Sequence, residues 1–370
     1  MSGDPSKLVA LARAWLVAFN ARDLERLLAL YASDAVHTSP KLRAQQDPSW
    51  VPFSSRRRNL ERPAADVTFM TLPRQVVAGR TYLTSRRCTQ RQHLLRPDAR
   101  VEQIYLYCLA EACERYNITL HGFIAMSNHQ HLLVRDNLGN YPEFFAHFHK
   151  MIAKALNAHW GRWENLWATE QPNAVYLVEA QDRFDKLIYL LCNPVADHLV
   201  ERVAEWPGAS SFGQHLRGTT RTIKRPRGFF REDGPMPHEV TLRIEPVDGF
   251  EHLAAKEWAD KITTAVRAEE ETAKARRVKT GRRVLGRKGV LGTAPTSRPR
   301  TVEPRRKLRP HVACRNNERR VHELSALCGF RKAHRVARLR WIAGERRAVF
   351  PEGTYRFAAL GARCQGAAEK

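Results

Sequence analysis

Acidic side chains are scarce in this 370-residue chain: 38 Asp and Glu stand against 62 Lys and Arg, leaving a formal charge of +24. That imbalance directs attention to polyanionic partners, nucleic acid first. Cysteine is sparse as well. The 7 cysteines (88, 108, 113, 192, 314, 328 and 364) are odd in number and scattered, with no C-x-x-C pair. This excludes a zinc ribbon or a disulfide scaffold and fits a reducing cytoplasm. Long apolar runs are missing too: no stretch of about 18 uncharged apolar residues occurs, so no membrane span is expected. The longest candidate, around residues 8–19, is broken by Arg13. The opening MSGDPSK has no basic n-region and no small-residue cleavage site after it, so a secretory signal is not expected. Hydrophobic residues, by contrast, reach 43%, enough for a real core, which excludes wholesale disorder. At roughly 100–200 residues per domain, the length predicts two or three structural units.

The charge is unevenly placed. Residues 271–320 carry 17 basic and 3 acidic groups, whereas residues 74–206 carry 15 and 14. A nearly neutral domain with a basic appendage is the natural reading. The appendage is either a phosphate-tracking arm, whose grip is lost with salt, or merely a solvated linker.

Periodicity supplies the elements. Apolar positions at helical spacing (Leu8, Leu11, Ala12, Trp15, Leu16, then Leu24, Leu27 and Leu28) predict two short amphipathic helices over 5–31. Residues 41–72, with RRR at 56–58 and scattered proline, read as a linker. A β-like run follows at 79–86, then a helix over 98–116 with Val101, Ile104, Tyr105, Cys108, Leu109 and Ala112 on one stripe. Two strand-like runs, 118–126 and 129–134, are joined by Ser127-Asn128; a helix spans 141–160; a strand at 174–179 precedes a helix from Asp182, a candidate N-cap, to about Cys192. The order β-α-β-β-α-β plus a helix predicts an α+β fold: a ferredoxin-like split β-α-β core with an antiparallel sheet and helices on one face. Beyond Trp206-Pro207 a Gly/Pro-rich connector (213–250) leads to a basic, partly helical extension (251–370). Within it, helices are expected at 251–279 and 317–343, a proline-interrupted linker at 280–316, and an apolar cap at 349–357.

The sharpest chemical feature is Asn128-His129-Gln130-His131. Residues i and i+2 of a strand share a face, so His129 and His131 can present two imidazoles to one ion; two unrelated surface histidines are the alternative. Imidazole suits manganese or zinc better than calcium. His147 and His149 have the same spacing but fall on a predicted helix, where i and i+2 diverge by about 200°; they read as the outer side of that helix. On the last core helix Phe184, Leu187, Ile188 and Leu191 fill one face, while Tyr189 and Asn193 lie on roughly the opposite one. Pro194 makes that i,i+4 alignment approximate. A tyrosine beside a paired-histidine metal site points to metal-assisted nucleophilic attack on a phosphodiester, in which a divalent ion offsets a phenol's ordinary pKa near 10 by stabilising phosphoryl charge.

FIAMSNHQHLLVRD (123–136), LW at 166–167 and YLLCNPVADHLVERVAEWPGASSF (189–212) resemble the REP-associated tyrosine transposases, members of the single-tyrosine HUH transposases. The resemblance covers about residues 72–212 and marks 73–212 as the catalytic domain; the C-terminal part is similar, less closely, to extensions in larger members. It implies that His129 and His131 are metal ligands for Mg²⁺ or Mn²⁺, that Asn193 completes the site, and that Tyr189 is the nucleophile. It further implies attack on single-stranded DNA, a 5′-phosphotyrosine with a free 3′-hydroxyl, rejoining without ATP, and hairpin-forming repetitive palindromic DNA as substrate. FNARDLERLLALYASDAVHTSP resembles the opening of SnoaL-like domains, so residues 1–40 read as a helical fragment of that kind.

Three positions depart from the transposase pattern. Gln130 stands where a large apolar residue is usual and needs a hydrogen-bond partner if buried; Ser127 replaces a proline, and Ala168 a glutamine. No reacting group is lost. Two other readings stay open: a protein that recognises palindromic DNA without cutting it, and an RNA-binding split β-α-β sheet, although HQHLLV is not an aromatic-rich RNA-binding strand.

Overall fold

The computed structural model describes residues 72–218, 220–299, 301 and 310–366. The SnoaL-like fragment and nearly all of the 41–72 linker lie outside the described residues.

The core runs β1 (Arg80–Arg87), α1 (Ala99–Tyr116), β2 (Ile118–Ala125), β3 (His129–Asp136), α2 (Tyr141–Trp160), β4 (Asn173–Leu177) and α3 (Ala180–Leu191). Local chemistry sets the ends. The Asp98 carboxylate accepts from the backbone N–H groups of Arg100 and Val101 and so caps α1, and every residue of the predicted α1 stripe is buried. The chain leaves α1 through Asn117 in the left-handed region (φ 51°), a backbone state asparagine tolerates better than most residues. Asp182 is not the N-cap of α3. Glu179 is, with Asp182 at the third helical position in a capping box, so the helix starts one turn earlier than the sequence suggests.

The sheet order is β2-β3-β1-β4, antiparallel throughout, with a fifth strand, β7 (Val312–Ala313), parallel to β4 at its edge. This is the expected α+β architecture. Pleat alternation then sorts the side chains. Leu132 and Val134 of β3 pack with α1 and α2, through Ile104, Phe144 and Phe148. Leu133 and Ile124 face the other way and pack with Leu187, Ile188 and Leu191 of α3. Helices therefore cover both faces, not one, because α3 returns across the sheet opposite to α1 and α2. An RNA-binding sheet needs one face open to bases; here both are occupied.

The segments beyond the core are more ordered than their composition suggests. Residues 213–250 include a hairpin, β5 (Arg221–Lys224) and β6 (Glu239–Leu242), whose Ile223, Val240 and Leu242 join the core beneath α1. A long helix, α6 (Ala255–Thr280), packs Trp258, Ile262 and Val266 against α3. The described residues of the basic stretch at 280–316 do not form a free linker. Leu285 and Gly286 N–H groups donate to His198 and Leu199 carbonyls, the Ser297 carbonyl accepts from His93 N–H, and Arg91 bonds Thr301. Farther on, β7 adds to the sheet. Then α7 (Asn317–Ile342) carries the apolar cap, in which Phe350 stacks on Phe357 at 4.7 Å and meets Trp341 and His334.

Buried histidines and a paired carboxylate make stability acid-sensitive, His215 and Asp248 among them. His215, on the short helix α5 (Phe212–Arg217), accepts a hydrogen bond from Trp258 Nε1–H (3.2 Å), and burial pushes its pKa down to about 3. Asp248 is partly buried, which would raise its pKa, but hydrogen bonds from His121 and Thr81 and the charge of Arg135 hold it well below the usual carboxylate range. Both folded pKa values lie under the unfolded ones. The unfolded chain therefore takes up protons first as pH falls, and stability present at neutral pH is lost. The histidine contribution fades from about pH 6.5 downward and that of Asp248 below about pH 4. Urea unfolding measured across pH 4–7 is expected to show a stability loss that His215→Phe makes shallower without removing it, since the desolvated, neutral His129, His131 and His149 contribute in the same direction; an unchanged slope in that variant assigns the loss to those groups.

Candidate functional site

β3 starts immediately after the two-residue turn Ser127-Asn128, and backbone bonds pin that turn. Cys88 N–H donates to the Asn128 carbonyl (2.7 Å), Leu95 N–H to the Ser127 carbonyl (2.9 Å), and Met126 N–H to the His129 carbonyl (2.8 Å). His129 and His131 consequently share the α3 side of the sheet, with ring centroids 5.0 Å apart and planes at 87°. Tyr189 stands across from them on α3, its ring 5.9 Å from that of His131. α3 ends at Leu191, Cys192 breaks the helical geometry, and Asn193 opens the short helix α4 (Asn193–Ala196) with proline in its first turn. Asn193 is buried, and its side chain is within hydrogen-bonding reach of His129. The four residues singled out from the sequence are thus brought together in space. Their environments differ: Tyr189 is 50% exposed while Asn193 is 6% exposed, so the tyrosine stands at the rim and the amide at the floor.

The two imidazoles suit a divalent ion. Burial, then the neighbouring His131, pushes His129 down to about 3, and burial pushes His131 down to about 4, so both rings are neutral at pH 7. Asn128 Oδ1 lies 2.7 Å from His129 Nδ1. A carbonyl oxygen can only accept, so the proton sits on Nδ1 and the Nε2 lone pair is free to ligate, with Asn128 fixing the tautomer from outside. His131 Nδ1 is buried with no hydrogen-bond partner, an orphaned polar atom of the kind a ligand satisfies. Asn128 was read only as a turn residue; its place directly before H-x-H was the signal for more. A second constellation, Glu179, Asp182 and Cys314, also brings three donor atoms within 4.8 Å of one another. Its groups are engaged otherwise: Asp182 accepts from the N–H groups of Glu179 and Arg315, and Glu179 pairs with Arg319 at 3.3 Å.

Gln130 points to the opposite face and finds its partner in His149, 2.7 Å away. The reading of His147 and His149 as the outer side of α2 is overturned. They do diverge, but His147 pairs with Glu111 at 2.7 Å, and His149 is buried against Phe145 and Trp167. Arg86 Nη1–H donates to His149 Nδ1 (3.0 Å), so the histidine proton sits on Nε2 and the Gln130 amide must turn its oxygen towards it. Trp167 Nε1–H donates to the His149 carbonyl (2.9 Å), and the Arg86 guanidinium lies 5.4 Å from the Trp167 ring. Gln130 is therefore matched to His149 and Trp167, not an unsatisfied intruder. Gln130→Leu is expected to cost about 1–3 kcal/mol in urea unfolding by stranding the His149 N–H; a neutral or stabilising result would show that the contact carries no weight.

From the histidines a cleft of about 1690 Å³ extends around β1, lined near His129 by Arg87 and Arg91, reached by Arg86 from the opposite face of the strand, and walled by Arg282, Leu285 and Val290 of the C-terminal extension. Tyr189 and Asn193 flank this cleft without lining it. Volumes of 300–1,000 Å³ are usual for small-molecule sites, so the space suits a polymer. Among the described residues no helix is long and apolar enough to cross a membrane.

No protein-family model matches the sequence, and no curated protein matches it. Among solved structures, a REP-associated tyrosine transposase bound to a REP hairpin is similar at 17% identity, covering 45% of this chain and 90% of that one, with a TM-score of 0.33. A candidate transposase from Deinococcus radiodurans R1 is similar at 18% identity over 32% of this chain and 93% of its own, with a TM-score of 0.24.

Proposed function

We propose that this protein is a single-stranded DNA nicking and strand-transfer enzyme that works through a 5′-phosphotyrosine and acts in DNA transposition. The observation that carries the reading is the convergence of His129, His131, Asn193 and Tyr189 at the mouth of an arginine-lined cleft. His129, His131 and Asn193 would hold Mg²⁺ or Mn²⁺, which when bound stabilises charge on the scissile phosphate oxygens. The Tyr189 hydroxyl attacks phosphorus. The new bond joins its oxygen to the 5′ phosphate, the P–O3′ bond breaks, the phenol proton leaves, and the departing 3′ oxygen takes up a proton. Half-exposure gives Tyr189 access to a strand, and Lys186 Nζ lies over its ring face, 5.5 Å from the centroid. Arg87 and Arg91 are placed to hold flanking phosphates. The sequence motifs make hairpin-flanked repetitive palindromic DNA the substrate of choice.

The test is covalent trapping. The full-length chain, incubated with Mn²⁺ and single-stranded DNA bearing a palindromic hairpin, is expected to form a detergent-resistant adduct that peptide mapping places on Tyr189. Tight, metal-independent binding with no adduct would instead establish a palindrome-binding protein without chemistry.

A further inference from the structure

The cleft does not end at the histidines. Arg87 and Arg80 lie at opposite ends of β1, about 23 Å apart at about 3.3 Å per residue, and on opposite faces of its pleat, yet both line the same space, which therefore bends around the strand. At the Arg80 end the wall comes from three parts of the chain: Arg74 before β1, Tyr176 on β4, and His311, Glu323 and Arg331 from the C-terminal extension. Three guanidinium groups are gathered there, with Glu323 and Glu170 among the carboxylates of the lining.

The arrangement is preorganised for an anion. The Arg80 guanidinium lies 4.6 Å from the Tyr176 ring centroid and only 3.9 Å from Glu323, so stacking fixes its plane while the ion pair stays long. Arg74 is held by the Pro172 carbonyl at 2.8 Å. Arg331 Nε is buried with no hydrogen-bond partner, and burial pushes that guanidinium below its usual range. Burial, then the charges of Arg331 and Arg74, disfavour protonation of His311, which shows that these cations act on one shared space. Arg80 also donates to Gln75 Oε1 at 3.1 Å, so these guanidinium groups are held in place by partial bonding, and their remaining donors are the chemistry that recognises phosphate.

We propose that this far end is a second phosphate-holding subsite for single-stranded DNA, built jointly by β1 and the C-terminal extension from Arg74, Arg80 and Arg331. The assignment of a DNA strand rests on the nicking reading above; the anion site itself does not. Single-strandedness follows from the path: a space that passes from one face of β1 to the other bends around the strand, which a flexible single strand can follow, whereas a duplex has a persistence length of about 50 nm. The extension thus acts as a wall that tracks the strand away from the tyrosine.

Counterion release supplies a readout that a purely structural role would not move. Each phosphate contact on a single strand contributes about 0.7 to the slope of log affinity against log salt. In EDTA, with an oligothymidylate long enough to span the cleft, Arg74→Gln/Arg331→Gln in the full chain is expected to lower that slope by about 1.4. Arg331→Gln alone should lower it by about 0.7, which preserves the test if the double variant folds poorly. Arg243→Gln, on an exposed position outside the cleft, is the control and should leave the slope unchanged. An unchanged slope in the Arg331 variant, an equal fall in the control, or the same fall with blunt duplex would each overturn the proposal. A lowered slope without any Tyr189 adduct would retain the subsite and remove the nicking reading, so the two failures are distinguishable.

Discussion

Tyr189→Phe is expected to abolish the covalent DNA adduct completely, while His131→Ala is expected to slow nicking by about 10³-fold with the tyrosine still in place. The two variants separate the parts of the site. Phenylalanine keeps the ring that meets His131 at 5.9 Å and removes only the hydroxyl, so strand binding and Mn²⁺ affinity should be unchanged. Alanine at 131 removes one of two neutral imidazoles on the same strand face. Stabilisation of phosphoryl charge by a bound divalent ion is worth several kcal/mol; losing about 4 kcal/mol corresponds to the 10³-fold stated. Calorimetric titration with Mn²⁺ should show weakened binding for His131→Ala and wild-type binding for Tyr189→Phe, a readout independent of turnover. Equal adduct formation by the phenylalanine variant would exclude Tyr189 as nucleophile. Unaltered Mn²⁺ affinity in the alanine variant would exclude His131 as a ligand.

Much of the core was legible because its signals are local. The α1 stripe, the α2 limits and the strand before the second histidine pair with period and capping chemistry that a short window contains. The i,i+2 rule alone separates His129 and His131, whose rings lie 5.0 Å apart, from His147 and His149, which go to Glu111 and Gln130. What local pattern cannot supply is the partner. His149 looks like a surface residue until Gln130, 19 positions away, is folded beneath it. β7 is two residues long in a basic, proline-rich stretch, and it becomes a strand only because the β4 edge is there to accept it. A charge tally misleads for the same reason. Residues 74–206 are almost neutral in sum, yet Arg74, Arg80, Arg86, Arg87 and Arg91 all turn to the cleft. Some acids of the same segment are committed elsewhere, Glu111 to Arg115 and His147, and Asp182 to backbone N–H groups, while Glu170 and Asp197 join the cleft lining. The described residues of the basic stretch at 271–320 contribute to the cleft wall and the sheet edge, so deleting the stretch would dismantle structure instead of trimming an arm.

The position of Tyr189 depends on a glycine that makes no contact with it. A Cβ built at Gly122 on β2 would come within 2.5 Å of Leu187 Cδ1 on α3, with Ser211 Oγ at 3.4 Å and His215 Nε2 at 3.8 Å. The bare strand at this point, next to the register shift between Leu120 and Gly122, lets α3 lie close enough to bring its tyrosine over the histidines. Leu187 is fully buried, so Leu187→Ala is expected to cost about 2–5 kcal/mol in urea unfolding. Gly122→Ala alone should cost about 1–3 kcal/mol by overpacking. Together they should cost less than the sum, because the new methyl group enters the space that Leu187 Cδ1 vacates; residues in contact couple by about 0.5–3 kcal/mol. Nicking should follow the same pattern, reduced in Gly122→Ala and partly restored in the double variant as α3 settles back onto β2. Strict additivity of the unfolding free energies would mean that the two residues do not share that space, and the glycine would then have no part in seating the helix.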